Sequence, residues 1–229
     1  LGIVASFIDT ELTKLGEGIE PIIFNGVQRH VEGYPLGGYW DEEYTYSDAN
    51  GDGFIGQNEV QVGETVYLGT PFATTDISFT PTVGLFNNAV VLRGLLNYKG
   101  GQKLYNNTGA WRNGNSNNQE LNDPNASLAG QARAVASKFL GTNAGYIEDA
   151  SFWRLREISL TYNAPQKLVS SIGFSRVSLT LSGQNLGIWT DYSGLDPEIS
   201  STGQSNFATE EFLSQPPTRS WKVRLNLSF

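Results

Sequence analysis

The chain has 229 residues, among them 26 glycine, 12 phenylalanine, 10 tyrosine and 5 tryptophan, and it contains neither cysteine nor methionine. This composition favours strands and turns over helices and excludes disulfides, thiolate metal sites and cysteine nucleophiles. A net charge of −8 argues against nucleic acid as a partner, because contact with phosphates requires a basic surface.

Apolar runs in the sequence are too short for a membrane-spanning helix, which needs roughly 20 apolar residues. The longest runs have only four residues, as at 89–92. A β-barrel is still compatible with this pattern, because barrel strands carry a much weaker hydropathy signal. The chain opens with no signal peptide and no methionine, so we expect it to be a piece of a longer protein.

The first distinctive motif is a loop from Asp48 to Glu59 with the spacing of an EF-hand calcium loop. Its ligand positions would be filled by Asp48, Asn50, Asp52, the carbonyl group of Phe54, and Glu59. The flanks at 40–46 and 60–68 lack helical periodicity, so the motif predicts an isolated Ca²⁺ site that stiffens a loop. An ion-free turn rich in Asp, Asn and Gly is the alternative reading of the same residues.

Alternating apolar residues next predict a β-hairpin over 77–98. The apolar positions are Ile77, Phe79, Val83 and Leu85, then Val90, Leu92, Leu96 and Tyr98. Asn87 and Asn88 mark the turn between the two strands. Pro81 predicts an interrupted or edge-like first strand, because proline cannot donate a hydrogen bond to a neighbouring strand.

Alternation stops between Gly100 and Asp149. The Asn-, Gly- and Ser-rich stretch Asn106 to Asn125 predicts a loop, and apolar residues at helical spacing predict one short helix within Ala126 to Leu140. A connection of this length is too long for an ordinary hairpin. It is typical of the extracellular side of an outer-membrane barrel.

The remaining strands are predicted at 153–162, 176–183 and 221–229. The apolar parity changes between Leu155 and Ile158, which predicts a bulge near Arg156 and Glu157. The last strand alternates without exception, with Trp221, Val223, Leu225, Leu227 and Phe229 on one face. Its length, roughly 26 Å at about 3.3 Å per residue, suits a tilted membrane-spanning strand with an aromatic residue at each end.

Four segments resemble sequences of the SusC/RagA family of TonB-dependent outer-membrane transporters. The segments are 46–55, 150–162, 181–198 and 215–229, which read YSDANGDGFI, ASFWRLREISLTY, LSGQNLGIWTDYSGLDPE and QPPTRSWKVRLNLSF. In this family the last strand follows a Pro-Pro-x-Arg motif and ends on an aromatic residue, as it does here. The resemblance extends from about residue 33 to Phe229.

This resemblance implies an all-β fold: residues 1–229 would be the C-terminal part of an antiparallel transmembrane β-barrel of the 22-strand type. They would supply seven or eight strands, long extracellular loops and one short loop helix, while the plug domain and the TonB box are absent. The implied function is nutrient import, of glycan or peptide, across the outer membrane of a Gram-negative bacterium, without a catalytic step. The implied partners are the rest of the barrel and the plug, a SusD-like lipoprotein, TonB and outer-membrane lipid. The aromatic-ended strand Trp221 to Phe229 would also be the barrel-assembly signal.

Four aromatic residues in predicted loops are candidates for stacking on a sugar or a peptide: Trp40, Trp111, Trp189 and Tyr192. Loop packing is the alternative for each of them. Asp191, Asp196 and Glu198 would be the carboxylates for acid–base chemistry, although Asp196-Pro197 equally predicts a turn. His30, the only histidine, has no triad or metal-ligand spacing around it.

The main alternative function is a secreted, calcium-stabilised β-sandwich that binds carbohydrate. It would account for the acidic balance and the exposed loop aromatics. A sandwich strand also shows the same alternation of apolar and polar residues. It does not account for the aromatic-ended last strand. A glycoside-degrading enzyme is a third reading, and it lacks a recognisable acid–base pair.

Overall fold

The computed structural model describes residues 1–115, 119–123, 125–203 and 207–229. Its strands are numbered in chain order. They are β1 Gly2–Phe7, β2 Ile22–Phe24, β3 Gln28–His30, β4 Gly38–Tyr46, β5 Val60–Gly69, β6 Thr75–Thr80, β7 Thr82–Leu85, β8 Val90–Gly100, β9 Lys103–Tyr105, β10 Ile147–Asp149, β11 Phe152–Asn163, β12 Arg176–Thr190 and β13 Ser220–Ser228.

Seven of these strands form the main sheet, in the order β1-β6-β8-β11-β12-β13, with β7 also paired to β8. All of its pairs are antiparallel. The sheet is open, with β1 and β13 at its two edges. An all-β antiparallel fold is therefore confirmed, and the number of strands agrees with the seven or eight expected.

The predicted hairpin and its interruption are both present. β6 and β7 pair with successive parts of β8 and are separated by Pro81. The carbonyl group of Pro81 still accepts a hydrogen bond from the amide of Gly94, so the ladder loses only the donor that proline lacks. Asn87 and Asn88 have positive φ angles of 56° and 65°, which asparagine tolerates better than most residues.

The predicted bulge is also confirmed. The registers of β11 with β8 and with β12 both shift between Leu155 and Glu157. A bulge adds one residue to the strand, so the alternation changes parity there. Ile158 and Leu160, after the bulge, therefore lie on the same face as Leu155 before it.

The two ends of the main sheet differ. Three long connections, 8–74, 101–151 and 191–219, join strands at one end, which we call the loop end. The opposite, turn end has the short connections 86–89 and 164–175. The loop-end connections contain a four-stranded sheet, β2-β3-β4-β5, and the pair β9-β10.

Helices occur mainly in the connection 101–151. They are α1 Asn107–Gly114, α2 Gln119–Asn122 and α3 Leu128–Val135, which continues into a π-helical turn Ala136–Leu140, while α4 Gln166–Ser171 lies at the turn end. Short 3₁₀ turns occupy Gln57–Glu59 and Ala144–Tyr146. None of the helices in the described part of the chain is long and apolar enough to cross a membrane.

The expected helix within 126–140 is confirmed, but the expectation of a single loop helix is wrong. α1 forms inside the stretch predicted to be a loop. Its N-cap residue Asn106 accepts a hydrogen bond from the amide of Gly109 at 2.8 Å, which offsets the poor helix propensity of an Asn- and Gly-rich segment. Positions 116–118 and 124 of the predicted loop lie outside the described residues.

Most of the buried apolar side chains lie in the loop-end connections and not under the main sheet, and Val169 of α4 at the turn end is an exception. One cluster contains Val27, Tyr39, Tyr105, Ala110, Tyr146 and Ile147, and a second contains Ile55, Val60, Ala132, Val135 and Ala136. Among the described residues, Phe152 is the only buried apolar residue that belongs to a main-sheet strand. The main sheet thus has no hydrophobic core of its own.

Candidate functional site

One face of the main sheet is apolar and uncovered. Its character is clearest in the row where Leu92, Leu160, Leu181 and Val223 face one another across four neighbouring strands. These side chains are 45%, 43%, 48% and 72% exposed. A continuous exposed apolar surface of this kind marks a site of contact with another protein or with a membrane.

Aromatic residues border this apolar face. Near the loop end Trp153 lies opposite both Tyr98 and Trp189, and the rings of Tyr98 and Trp153 are 4.9 Å apart. Near the turn end the rings of Phe174 and Phe229 are 4.8 Å apart. Aromatic belts at the two edges of an apolar band are a feature of membrane interfaces. Trp189, a candidate for substrate stacking, therefore lies on the apolar face.

The predicted stripe of the last strand belongs to the same face. Trp221, Val223, Leu225, Leu227 and Phe229 are between 45% and 91% exposed. Their registered neighbours on β12 include Leu181, Leu179 and Val177. The role of this strand in barrel assembly stays a prediction.

The opposite face of the main sheet is polar. Lys222, Ser182, Ser159 and Arg93 form one row across four strands. In the next row the hydroxyl groups of Thr161 and Thr180 are 2.9 Å apart. The sheet therefore separates an apolar surface from a hydrogen-bonding one, which is the arrangement of a barrel wall around an aqueous lumen.

The connection 191–219 is fastened to this polar face by ion pairs. Arg154 is buried and its Nη2 lies 2.6 Å from Oδ1 of buried Asp196. Glu198 is paired with Arg156 at 2.6 Å, with Arg154 at 3.1 Å and with Lys99 at 3.3 Å. The carboxylates of Asp196 and Glu198 are thus held by cations of the main sheet.

The EF-hand-like loop is closed by hydrogen bonds from its own backbone. Oδ1 of Asp48 accepts from the amides of Gly51 and Asp52, and Oδ2 accepts from Gly53. Oε1 of Glu59 accepts from the amide of Ala49 at 3.0 Å. The carboxylates of Asp48 and Glu59 thus both accept hydrogen bonds from backbone amides within residues 49–53.

Metal binding by this loop stays a prediction. No group of three or more His, Cys, Asp or Glu side chains converges as a metal site in the described part of the chain. The proposed ligand oxygens instead accept backbone amides, and Nδ2 of Asn50 donates to Asp52 at 2.9 Å. Carboxylate and amide oxygens suit a hard cation such as Ca²⁺, and the side chains would have to turn inward to bind it.

The same loop is docked onto α3. The side chain of Gln131 accepts a hydrogen bond from the amide of Ile55 at 2.9 Å and donates to the carbonyl group of Gly53 at 3.2 Å. Ile55 itself packs against Ala132 and Val135. These contacts join the loop to the helical part of the connection 101–151.

The other three candidate aromatic residues lie in different surroundings. Trp40 packs in a cluster with Tyr34 and Tyr67, with ring centroids 4.7 and 5.4 Å away. Trp111, within α1, is 48% exposed, and its ring centroid lies 6.3 Å from that of Phe212. Tyr192 is buried, and burial raises its pKa, with the negative charge of Glu211 adding to the effect. Substrate contact by these residues stays a prediction.

A polar cavity of about 250 Å³ lies at the loop end among the connections. Glu211, fully buried, lines it and accepts hydrogen bonds from Thr108 at 2.6 Å and from the amide of Leu195 at 2.8 Å. Arg133 pairs with Glu120 and with Glu148 on another side of the cavity. These contacts join the connections 101–151 and 191–219 into one unit.

A second group of buried polar contacts joins that unit to the four-stranded sheet. The buried side chain of Gln28 donates to the carbonyl group of Gly37 at 2.7 Å and accepts from the amide of Thr209 at 2.8 Å. The hydroxyl group of Tyr39 donates to the carbonyl oxygen of Thr209 at 2.6 Å. Sequence reasoning missed Gln28, Tyr39 and Glu211, because contacts over more than a hundred residues leave no local pattern.

No family model matches the chain. Among curated proteins it is 28% identical, over 201 residues and 80% of its length, to TonB-dependent receptor P26 of Formosa agariphila. A shorter match, 35% identical over 89 residues and 37% of the chain, is to TonB-dependent receptor P3 of the same organism. The matches span only 19% and 9% of those two proteins, respectively.

Among solved structures, the RagAB peptide transporter superposes with a TM-score of 0.68 at 19% identity, over 96% of this chain and 26% of that one. The RagAB peptide importer in its open-open state gives a TM-score of 0.64 at 20% identity, over 96% and 25% of the two chains. At this level of identity the likeness shows the fold alone.

Proposed function

We propose that this chain, a part of a TonB-dependent receptor of the SusC/RagA type, forms one arc of an outer-membrane barrel wall in a nutrient importer. The observation that carries this proposal is the uncovered apolar face of the main sheet, combined with a core that lies in the loop-end connections. In a barrel the apolar face meets lipid and the polar face lines the lumen. Unpaired strand edges at β1 and β13 then pair with the remaining strands of a closed barrel.

The difference between the two ends of the sheet supports an orientation. Long connections are typical of the extracellular side of such barrels, and short turns of the periplasmic side. We therefore place the loop end outside the cell, where the connections 8–74, 101–151 and 191–219 form a packed outer structure. A SusD-like lipoprotein at this surface, a plug in the lumen and TonB on the periplasmic side are the partners that the family implies.

Import by such a receptor is a transport cycle and not a chemical reaction of this chain. The curated relatives are named receptors, and the superposed structures are named a peptide transporter and importer. The glycan or peptide nature of the cargo stays a proposal, as does any stacking on Trp40 or Trp111.

The soluble alternative, a calcium-stabilised β-sandwich, has little support. A sandwich buries one face of each sheet against the other. Here Leu160, Leu181 and Val223 are between 43% and 72% exposed, so no second sheet within the described residues covers this face of the main sheet.

A matched pair of substitutions in the full receptor tests the proposal. Leu225→Arg places a charge on the apolar face near the middle of β13, whereas Asn226→Arg places it on the polar face. A cation in the middle of the lipid-facing band costs about 2–4 kcal/mol, and lumenal substitutions are tolerated. We expect heat-modifiable, folded receptor in the outer membrane to fall severalfold for Leu225→Arg only. Equal recovery of both variants, as for two exposed positions of a soluble domain, would refute the proposal.

A further inference from the structure

The four-stranded sheet at the loop end has a long unpaired edge on β5. In the order β2-β3-β4-β5, β5 is the last strand, and it pairs only with β4. Residues 61–65 are exposed. Within the described part of the chain, no backbone hydrogen bond reaches residues 61–69 from any element other than β4. About half of the amide and carbonyl groups of β5 therefore point away from the sheet, as on any unpaired strand edge.

The sequence of β5 does little to block pairing along this edge. Proteins usually protect exposed edges with lysine, with proline, with bulges or by keeping the edge strand short. β5 has ten residues, VQVGETVYLG, and contains neither lysine nor proline. Its protective features are the charge of Glu64 and an irregular register with β4 between Glu42 and Tyr44. The parts of β5 on either side of this irregularity can still pair with an added strand.

The hairpin that carries this edge is strongly acidic. Residues 40–69 contain seven carboxylates and no lysine, arginine or histidine. The connection 8–74 as a whole contains twelve carboxylates and two cations, so it carries more negative charge than the net −8 of the entire chain. In the described part of the chain, none of the seven hairpin carboxylates forms an ion pair. The hairpin therefore presents negative charge that the chain itself does not neutralise.

Three of these carboxylates lie near the middle of the edge. Glu64 is exposed on β5, and the side chain of Glu43 lies against Gly63. Glu42 is registered opposite Thr65. Negative charge beside unpaired backbone groups attracts an incoming strand that carries lysine or arginine and repels one that carries carboxylates. A second copy of this edge has the same negative charge and is disfavoured as the occupant for this reason.

We propose that the β5 edge binds an extended, basic oligopeptide, which adds a fifth strand to the four-stranded sheet and is a cargo of the receptor. Backbone hydrogen bonds along the edge supply affinity, and the carboxylates of Glu43 and Glu64 select lysine or arginine. The inference rests on the proposed function, which places the connection 8–74 outside the cell. It narrows a glycan or peptide cargo to a basic peptide.

Binding of synthetic peptides to the full receptor, purified from the outer membrane, tests this proposal. The probe is a fluorescent heptapeptide of alternating lysine and valine, read by fluorescence anisotropy, and its glutamate counterpart is the charge control that should not bind. N-methylation of alternate residues removes the amide donors along one edge of an extended peptide and leaves those along the other. We expect one of the two N-methylated peptides to bind at least about tenfold more weakly and the other to bind like the parent, because only one edge pairs with β5.

A matched pair of receptor variants separates the edge from the general negative charge. Glu64→Lys and Glu20→Lys change the charge of the connection 8–74 equally, and both positions are exposed, but only Glu64 lies on β5. We expect Glu64→Lys to weaken binding of the lysine peptide at least about fivefold, and Glu20→Lys to leave it within about twofold. In the unmodified receptor, bound peptide should slow hydrogen exchange at 61–68 and not at 22–24, the opposite edge of the sheet.

Several results would overturn the proposal. Absence of binding, or equal binding of the two N-methylated peptides, would mean that no strand is added. Equal effects of Glu64→Lys and Glu20→Lys would place the peptide elsewhere. Protection of 61–68 by a lipoprotein that copurifies with the receptor would assign the edge to that partner. None of these measurements depends on lipid contact, so each such result leaves the barrel-wall proposal to its own test with Leu225→Arg and Asn226→Arg.

Discussion

The guanidinium group of Arg156 meets the carboxylate of Glu198 side by side, with Nη1 2.8 Å from Oε2 and Nη2 2.6 Å from Oε1. This two-point contact joins β11 to a connection that begins after β12. Arg156 also donates to the side-chain oxygen of Asn97 at 2.7 Å, so β8 shares the contact. Two parallel hydrogen bonds between planar groups fix orientation as well as distance, so this pair restrains the connection 191–219 together with the buried pair of Arg154 and Asp196.

Glu198→Gln should loosen that connection while the barrel wall stays folded. The substitution keeps the shape of the side chain but removes the charge, and it leaves Arg156 and half-buried Lys99 without their anion. We expect a loss of about 1.5–3 kcal/mol, the value of a hydrogen-bonded contact to a charged group. Hydrogen exchange should accelerate across 191–200 and not across 221–228. Glu64→Gln, at an exposed position of β5, is the matched control and should change neither region.

The same contact predicts a pH dependence. Burial opposes ionisation of Glu198, but the hydrogen bonds and charge of Arg156 prevail and hold the pKa below its ordinary value of 4.5. A carboxyl group with a lowered folded-state pKa stabilises the protein fully above its ordinary pKa, and this contribution is lost as pH falls through the folded-state pKa. We therefore expect the connection to loosen below about pH 4.5 in the unmodified receptor. In Glu198→Gln this acid-dependent step in hydrogen exchange at 191–200 should be absent; an identical step would assign it to another group.

Local patterns in the sequence were sufficient to predict the strands of the main sheet. The alternation of Trp221 to Phe229, the change of parity at Arg156 and the interruption at Pro81 each appear in the structure at the predicted place. These features depend on residues a few positions apart, whose side-chain directions follow from strand geometry.

The loop end was less predictable for a physical reason. Gln28 and Thr209 are hydrogen-bonded over a separation of 181 residues, and nothing near either residue indicates the other. α1 was missed although Asn106 is a good N-cap, because its Asn- and Gly-rich sequence gives no apolar periodicity. The resemblance indicated the family. It did not predict the contacts that hold these connections together.

Calcium should stabilise the receptor through the loop 48–59. If Asp48, Asp52 and Glu59 turn inward on binding, the bound ion stabilises the loop by about 2.7 kcal/mol at a concentration 100-fold above its Kd. Through Gln131 and Ile55 the effect should extend to α3, as slower hydrogen exchange at 128–135. Glu59→Gln should remove the difference between calcium and chelator in a melting experiment, and Glu64→Gln should retain it. No difference in the unmodified receptor would mean that the loop is an ion-free turn.

Tyr39→Phe should weaken the contacts between the three long connections without affecting the main sheet. The Tyr39 hydroxyl is buried, donates to the carbonyl oxygen of Thr209 at 2.6 Å and accepts from the amide of Tyr105 at 3.4 Å. It therefore joins all three long connections, and burial raises the pKa of the hydroxyl further above its ordinary value. Phenylalanine fills the same space but removes this partner from the buried amide of Tyr105 and the partly buried carbonyl group of Thr209, at a cost of about 1–3 kcal/mol.

Hydrogen exchange in the full receptor measures this effect directly. We expect faster exchange at 103–106 and 207–211 in Tyr39→Phe, with unchanged exchange along β13. Tyr46→Phe is the matched control, because Tyr46 is 42% exposed and its hydroxyl has no hydrogen-bond partner among the described residues. If Tyr39→Phe leaves exchange at 207–211 unchanged, the connections are held by Gln28 and Glu211 instead. Gln28→Ala, which removes the paired contacts to Gly37 and Thr209, should then produce the larger change.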